Sequence, residues 1–340
     1  MKKLKVLLLV HKHLVPTDEQ KISKEERSKC PNLTEYDVFS TLKLLGNEVL
    51  AIGVESDLAK IKNAVEEFKP HIVFNLLESF HGIGLYDQNV VSYLELLKVA
   101  FTGCNPRGLM IARDKALTKK ILSYHRIKCP KFFVFPKNKK VKRPKDLNFP
   151  LIVKCRSEES STGISQSSIV HNEEKLYERV KFINTSLADD AIAEEFIEGR
   201  EIYVGVMGNH QLTCLPSWEL RFDSSKNPGK EIYTSRAKFN DEYRQEKEIN
   251  TQKAKFDKEV EAKITKVCKR AYKAMQLNGY ARMDLRVTKD NELYFLEANP
   301  NPSIKMDDEF AESAAFVNIE YSKLISKIVS LGLNWHSYDI

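Results

Sequence analysis

Residues 279–302 of this chain read GYARMDLRVTKDNELYFLEANPNP, two apolar segments separated by a short polar turn. The pattern predicts a β-hairpin, because alternating apolar residues on either side of a polar loop are typical of paired strands. If residues 289–292 form a four-residue loop, Asp284 lies directly opposite Glu297 on the neighbouring strand. Strand alternation then places Arg282 on the same face as Asp284. Two acidic side chains are thus predicted to meet on one face of a sheet.

The same alternation predicts how the rest of the hairpin is divided between its two faces. Glu297 and Asn299 share one face of the second strand. The apolar side chains take the opposite face, with Met283, Leu285 and Val287 on the first strand and Tyr294, Leu296 and Ala298 on the second. One face of the hairpin is therefore expected to join a core and the other to carry polar chemistry.

Opposed carboxylates repel each other, and two interpretations of the pair Asp284 and Glu297 follow. In the first, a cation lies between them. Two carboxylates and the amide oxygen of Asn299 are hard ligands of the kind that Mg²⁺ prefers, and they leave coordination sites for phosphate oxygens. In the second, this face is solvated, and Arg282 and Arg286 neutralise the acids. Geometry alone leaves both interpretations open.

Towards the amino terminus, short apolar runs alternate with amphipathic segments. Strands are predicted at 4–10, 48–53 and 71–76, and helices at 34–46, 57–68 and 88–98. Thr34 and Asp37 resemble a capping box at the start of the first helix. Strand–helix–strand–helix–strand order implies an α/β lobe with a parallel sheet and right-handed crossovers.

The remainder of the chain has a mixed α+β pattern. Helices are predicted at 114–125, 173–183, 256–275 and 309–329, and strands outside the hairpin at 151–154, 191–196, 201–207 and 210–215. A chain of 340 residues exceeds one ordinary domain. The change from α/β to α+β argues against a single doubly wound domain and predicts two or three lobes.

Composition and charge argue against several classes of protein. The 54 basic and 47 acidic residues are mixed, and the densest basic run, 137–145, lacks the interleaved aromatic residues of a nucleic-acid site. No apolar window reaches the length of a membrane span. The start MKKLKVLLLV is broken at once by polar residues, which predicts a buried strand and not a signal peptide. The 6 cysteines lack zinc-ligand spacing and indicate reduced thiols in a cytoplasmic protein.

Four segments, in order along the chain, carry a family resemblance: FTGCNPRGLMIARDKALTKKIL at 101–122, FPLIVKCRSEESSTGIS at 149–165, IAEEFIEGREIYV at 192–204, and the hairpin. With them the sequence resembles the ATP-grasp superfamily and, within it, the D-alanine–D-alanine ligase family. The resemblance implies a three-lobed fold, with a Rossmann-like parallel-sheet lobe at 1–105, a central subdomain at 106–190 and a C-terminal subdomain at 191–340. ATP would lie between the second and third lobes.

The resemblance also implies a nucleotide site. Lys115 and Lys154 would contact ATP phosphates, the alternatives being an ordinary helix-face lysine and a lysine at a strand surface. Glu194 would accept a hydrogen bond from the adenine amine, since a carboxylate only accepts. The other hinge residues implied are Glu195, Ile197 through its backbone and Glu201 on the ribose hydroxyls. The alternative for this segment is an exposed acidic turn.

A second set of residues is implied to surround the reacting atoms. Arg282 would stabilise the oxyanion, and the metal ligands would be Asp284, Glu297 and Asn299, which would hold Mg²⁺, with Mn²⁺ as the alternative metal. Two loops would close over ATP. The first acts through Ser160, Ser161 and Gly163, of which Ser161 is also catalytic, and the second through Lys238, whose alternative is an exposed loop lysine.

The sequence departs from the family pattern in both loops and in the amino-terminal lobe. Glu159 stands where a loop glycine is usual, and Phe239 stands where relatives often have tyrosine beside the closing lysine. The segments HKHLVPTDEQ at 11–20 and FNLLESFHGIGLYDQ at 74–88 lack the usual glycine-flanked acids for a substrate ammonium. Nearby acids with unmatched spacing are Asp18, Glu19 and Glu78.

These features imply an ATP-dependent carboxylate–amine ligase that acts on small amino-acid or peptide substrates through an acylphosphate. The resemblance also suggests a homodimer. Two alternatives stay open: an authentic D-alanine–D-alanine ligase, and a nucleotide-binding regulatory protein without ligase activity. Because the ammonium-binding segments depart from the family pattern, we predict that the chain is not an efficient D-alanine–D-alanine ligase.

Overall fold

The computed structural model describes residues 3–23, 26–157 and 164–336. In chain order its strands are β1 (Lys5–His11), β2 (Glu48–Val54), β3 (Ile72–Asn75), β4 (Phe132–Phe135), β5 (Leu151–Cys155), β6 (Ile169–Val170), β7 (Ala191–Glu195), β8 (Arg200–Met207), β9 (Thr213–Cys214), β10 (Trp218–Phe222), β11 (Ile249–Lys253), β12 (Tyr280–Val287) and β13 (Leu293–Pro300). Its helices are α1 (Leu33–Leu44), α2 (Leu58–Phe68), α3 (Asp87–Leu96), α4 (Pro106–Arg113), α5 (Lys115–Tyr124), α6 (Glu173–Ser186), α7 (Ser235–Phe239), α8 (Asp241–Glu246), α9 (Lys258–Ala274), α10 (Glu309–Ala315) and α11 (Tyr321–Leu333).

The amino-terminal lobe is built on a parallel sheet in the order β2-β1-β3, as predicted. The central strand β1 is buried on both faces because it contributes an uninterrupted apolar run from Val6 to Val10. One face packs with Leu324 and Ile328 of α11 in a shared apolar core. The end of the chain therefore returns to complete this lobe.

The central lobe is an antiparallel sheet in the order β4-β7-β5-β6. Helix α6 covers it through Leu176, Val180 and Ile183, which are fully buried. Strand β7 belongs to this sheet, since Ala193 is paired with Val153 of β5. We therefore propose that the boundary between the central and third lobes follows Glu195 and does not precede Ala191.

The third lobe is an antiparallel sheet in the order β11-β10-β8-β12-β13, with β9 beside β8. Its inner face packs on α9, where Ile264, Cys268 and Tyr272 are fully buried. The predicted hairpin is confirmed, and Asp284 lies directly opposite Glu297. Its opposite face carries Arg282, Asp284 and Arg286 on β12. On β10 the same face carries the apolar residues Trp218 and Leu220.

One part of the predicted hairpin is wrong. The register shifts after Asp284, so that Leu285 is paired with Phe295 and Leu296 is left as an extra residue. This β-bulge interrupts the alternation of β13. Phe295, at 0% exposure, and Ala298 enter the core, whereas the predicted Tyr294 and Leu296 do not become fully buried.

Two helix boundaries also differ from the prediction. Helix α1 begins at Leu33, so the capping box at Thr34 and Asp37 is not formed, and Asp37 instead binds Arg27 at 2.8 Å. The predicted helix at 309–329 is split into α10 and α11 by a turn at which Asn318 has a φ of 60°. The left-handed conformation of Asn318 ends α10 because it cannot continue a right-handed helix.

Candidate active site

Strands β5 and β7 of the central lobe carry a buried ion pair. Lys154 is 8% exposed and Glu194 is 1% exposed, and Lys154 Nζ lies 3.1 Å from Glu194 Oε1. Neither side chain is at the surface, so the alternatives of a surface lysine and an exposed acidic turn do not describe them. Alternation along β7 turns Glu195 to the other side, where it accepts hydrogen bonds from Asn148 at 2.9 and 3.0 Å. The structure therefore does not bring the side chain of Glu195 together with Glu194.

A second buried lysine, Lys119 on α5, was missed in the sequence. Its side chain is 0% exposed, and its Nζ donates to the carbonyl oxygen of the bulge residue Leu296 at 2.6 Å and lies 3.3 Å from Glu194 Oε1. Burial lowers the pKa of Lys119, and Glu194 opposes that effect. Its spacing of four from Lys115 was the available signal, because residues four apart share one face of a helix.

The lysines of α5 and β5 act electrostatically on one acid of the hairpin, Glu297. Lys115 lies at the start of α5 and is 7% exposed. Burial alone would raise the pKa of Glu297, but the positive charges of Lys115, Lys154 and Lys119 together lower it. The central lobe thus directs several positive charges at β13, an arrangement suited to an anionic ligand.

The other acid of the hairpin is held by a guanidinium. Arg282 donates through Nε and Nη2 to the two carboxylate oxygens of Asp284 at 2.8 and 2.9 Å, and through Nη1 to Glu309 at 2.6 Å. The Asn299 amide donates to Asp284 Oδ2 at 2.9 Å. Burial raises the pKa of Asp284 against the ion pair with Arg282, and Glu297 adds to the rise. The charge of Glu297 therefore disfavours ionisation of Asp284, an effect that a cation between the two carboxylates would relieve.

The hinge between the central and third lobes leads into β8. Glu201 accepts from Arg286 Nη2 at 2.8 Å and from the Tyr203 hydroxyl at 3.0 Å. Arg286 Nη1 also reaches the carbonyl oxygen of Ile197 at 3.5 Å. The predicted hinge residues Ile197 and Glu201 are thus held by one arginine, for which the sequence suggested only charge neutralisation.

The predicted closing loops are described in part. Lys238 lies in the short helix α7, and its positive charge opposes the effect of desolvation on the pKa of Glu78. This helix therefore approaches the amino-terminal lobe. The predicted loop residues Ser160, Ser161 and Gly163, with Glu159, lie outside the described residues, as does the side chain of Phe239.

The amino-terminal lobe contains a buried acid, Glu35, that was missed in the sequence. Glu35, in the first turn of α1, is 7% exposed, and burial raises its pKa to about 7, with Glu78 adding to the rise. Among the residues that the structure describes, no lysine, arginine or histidine forms an ion pair with Glu35. Two positions along α1, Asp37 accepts a hydrogen bond from the backbone of Met306 at 3.0 Å, which sets this helix end beside the segment after β13. The spacing of Glu35 from Val38 and Phe39 was the available signal for its burial.

Residues 120–330, more than half of the chain, match the family model for the D-ala D-ala ligase C-terminus. The chain belongs to this family. The predicted ATP-grasp fold and the predicted enzyme class, an ATP-dependent carbon–nitrogen ligase, are confirmed.

The similarity of this ATP-grasp ligase to known proteins extends beyond residues 120–330. The uncharacterized protein y4sG of Sinorhizobium fredii is 29% identical over 306 residues, covering 86% of this chain and 85% of that protein. The D-alanine–D-alanine ligase of Pelotomaculum thermopropionicum is 26% identical over 309 residues, covering 87% and 90%. The crystal structure of D-alanine–D-alanine ligase from Bacillus anthracis, complexed with ATP, superposes with a TM-score of 0.74 at 22% identity, covering 97% of each chain. At that identity the likeness shows the fold alone. None of the helices in the described part of the ligase is long and apolar enough to cross a membrane.

Proposed function

We propose that this ligase binds ATP in the cleft between the central and third lobes and joins a carboxylate to an amine through an acylphosphate. The observation that carries the proposal is that Lys119 of α5 and Lys154 of β5 both pair with Glu194, while Lys119 also donates to the backbone of β13 beside Glu297. The guanidinium of Arg282 is held on the opposing acid, Asp284. Clustered positive charge beside paired carboxylates suits a triphosphate with its metal.

The nucleotide roles follow from the contacts of each side chain. Lys115 and Lys154 would neutralise phosphate oxygens. Both ion pairs of Glu194 use Oε1, so we propose that its Oε2 accepts from the adenine amine. Glu201, already held by Arg286, would accept from the ribose hydroxyls, since an ionised carboxylate can accept several hydrogen bonds.

The hairpin residues fit a divalent cation. Within the described part of the chain no cluster of three or more His, Cys, Asp or Glu side chains is placed to hold a metal ion, so the site depends on two carboxylates and an amide. Asp284, Glu297 and the amide oxygen of Asn299 are hard ligands of the type that Mg²⁺ prefers, with Mn²⁺ as the alternative. Bound there, the metal would neutralise charge on the phosphates.

The chemistry needs no nucleophile from the protein. An oxygen of the substrate carboxylate attacks the γ-phosphorus of ATP, the bond from that phosphorus to ADP breaks, and an acylphosphate forms. The neutral amine of the second substrate then attacks the acyl carbon, its nitrogen releases one proton to solvent, and phosphate leaves with the electron pair of the C–O bond. Arg282, held in place by Asp284 and Glu309, is preorganised to stabilise the oxyanion of the tetrahedral intermediate. Lys238 and the loop of Ser160, Ser161 and Gly163 would exclude water.

Glu35 and Glu78 are proposed to recognise the ammonium group of an amino-acid substrate. An ammonium taken from water needs a carboxylate or several acceptors, or it retains a desolvation cost. Glu35 supplies a buried carboxylate for the ammonium, which removes one reason for predicting poor D-alanine–D-alanine ligation. The segments 11–20 and 74–88 still lack the usual glycine-flanked acids. We therefore keep the proposal that the preferred substrates are not two D-alanines.

The test is a phosphate-release assay with Mg-ATP and a panel of D- and L-amino acids and dipeptides, with products identified by mass spectrometry. We expect phosphate release that depends on an added amino acid and yields an amide. ATP binding without such release would favour the regulatory alternative. Rapid formation of D-alanyl-D-alanine at millimolar D-alanine would contradict the proposed substrate preference. The suggested homodimer stays a prediction, which sedimentation of the protein would check.

A further inference from the structure

Arg286, on β12, is almost completely buried at 4% exposure. It lies directly opposite Glu201 of β8 and forms a cross-strand ion pair with it at 2.8 Å. Its remaining donors reach carbonyl oxygens, with Nη1 3.0 Å from Gly199 and from Gly229, and Nη2 2.5 Å from Glu231. The planar, always charged guanidinium carries five donors in a fixed fork, and a lysine could not reproduce this set.

These contacts join two segments that are distant in sequence. The first is the hinge that contains Gly199, and the second is the segment 228–231. The two are also linked directly, because the Gly199 amide donates to the carbonyl oxygen of Gly229 at 3.0 Å. A side chain at Gly199 would meet the Val287 carbonyl oxygen at 2.4 Å, so the hinge must pass this close to β12. Arg286 therefore stabilises an approach that the backbone alone makes through one hydrogen bond.

The second segment leads into α7, the short helix that carries Lys238. Residue Thr234 caps α7 through Ala237 at 3.2 Å, and its carbonyl oxygen accepts from the Lys238 amide at 3.0 Å. The Ser235 amide donates to the carbonyl oxygen of Ile164 at 3.0 Å. Segment 228–235 thus lies between the hinge and the residues that flank both loops.

We infer that Arg286 is a positioning residue that couples the nucleotide hinge to the segment carrying Lys238. The coupling rests on the proposed function of the hinge in binding adenine and ribose. When nucleotide fixes Glu201 and the Ile197 backbone, the guanidinium fixes the carbonyl oxygens of Gly229 and Glu231. Closure of Lys238 over the phosphates then begins from an ordered segment.

Hydrogen exchange of the full-length protein tests the bridge, first without ATP. The variants are Arg286→Met and Arg286→Lys, with Arg200→Met as the matched control. Arg200 forms a comparable pair with Glu219 at 2.7 and 2.8 Å, and its Nη1 donates to the carbonyl oxygen of Lys255 at 3.1 Å, whereas Arg286 donates to Gly229 and Glu231. We expect the Gly199 amide and the segment 228–235 to exchange about tenfold faster or more in both Arg286 variants, since charged hydrogen bonds of this kind change equilibria by that factor. The Arg200 control should exchange at the wild-type rate in these segments.

Addition of saturating Mg-ATP then tests the coupling. We expect residues 228–240 of the wild type to gain protection from hydrogen exchange. We expect Arg286→Met to have a KM for ATP about tenfold higher and to gain no such protection. Wild-type exchange at Gly199 and at 228–235 in folded Arg286→Met would overturn the inference, as would full protection by ATP. If the wild type itself bound no ATP, the proposed function would fail and the coupling with it, while the exchange measured without ATP would separately report the bridge. Thermal unfolding of each variant confirms that the comparison is between folded proteins.

Discussion

In the cleft between the central and third lobes, buried charged groups are paired with one another, whereas the buried Glu35 of the amino-terminal lobe has no cationic partner among the described residues. Lys119 and Lys154 share Glu194, and Arg282 holds Asp284. Burial instead raises the pKa of Glu35 to about 7. The comparison indicates that, in the nucleotide half, each of these buried charges is compensated by an oppositely charged side chain of the protein and is preorganised by it. The amino-terminal half keeps a carboxylate whose partner would be supplied by a substrate.

The largest expected effect is on the compensated side, at Glu297. Glu297→Gln removes one of the two opposed carboxylates while conserving shape, so metal-dependent phosphate release should fall by about two to three orders of magnitude. Steady-state phosphate release over a Mg²⁺ titration measures it. The control is Glu292→Gln in the same hairpin, because Glu292 is exposed and pairs with the exposed Lys128. Unchanged turnover by a folded Glu297→Gln protein would remove the metal assignment.

The hairpin that carries Glu297 also shows how far the sequence could predict the structure. Its strands, its turn and the opposition of Asp284 to Glu297 follow from local alternation, which the sequence displays. The bulge at Leu296 could not be predicted from this alternation. An apolar strand of the same composition can pair with or without one extra residue. The partner of Leu296, Lys119, lies 177 positions away, and no local pattern reports such a contact.

The site was predictable to the extent that its residues fall in ordered motifs. Lys154, Glu194 and the acids of the hairpin come together in the structure as their motifs imply. Glu35 and Arg286 were not assigned because their importance depends on burial and on contacts between separate segments. Helix α4 was missed as well, although Asn105 caps it through Gly108 at 2.9 Å and Pro106 opens it, which is a local signal.

The next effect concerns the stability that compensation provides. Lys119→Met leaves the Leu296 carbonyl oxygen without its donor and Glu194 with one lysine in place of two. Breaking such a buried network should lower the free energy of unfolding by about 3 kcal/mol. Urea unfolding measures this loss, and Lys120→Met, at the exposed neighbouring position, is the control. Equal unfolding midpoints for the two variants would show that the charges around Glu194 are not a stabilising network.

A smaller effect is expected at the hinge. Glu201→Ala removes the acceptor proposed for the ribose hydroxyls and one partner of Arg286, and should raise the KM for ATP about tenfold. Saturated kcat should change less, because this contact is similar in the ground and transition states. Initial rates over an ATP titration separate the two parameters, with Glu219→Ala on the adjacent β10 as control. A defect in kcat alone would instead assign Glu201 to the chemistry.

The smallest effect tests the uncompensated side, and it depends on pH. Because the pKa of Glu35 is about 7, its carboxylate is ionised above that pH and protonated below it, while a substrate ammonium stays charged across this range. The KM for the amino-acid substrate should therefore rise as pH falls, by about threefold from pH 7.5 to pH 6.5 for a single group titrating near 7. Glu35→Gln should raise the KM and remove this dependence, and Glu19→Gln, at an exposed position, should keep it.

The pH dependence of protein stability provides a second test of Glu35, with an effect opposite to that on substrate binding. Its folded-state pKa lies above 4.5, the ordinary value of a glutamate side chain, so the folded protein holds the proton more tightly than the unfolded chain does. The contribution of Glu35 to stability is therefore largest below pH 4.5 and is lost as pH rises through about 7. Glu35→Gln should be more stable than the wild type at pH 8 while binding substrate less well, a combination expected where function retains an unpaired buried charge. A variant that is less stable at pH 8 and binds substrate normally would show that Glu35 supports the fold of the amino-terminal lobe and not the substrate.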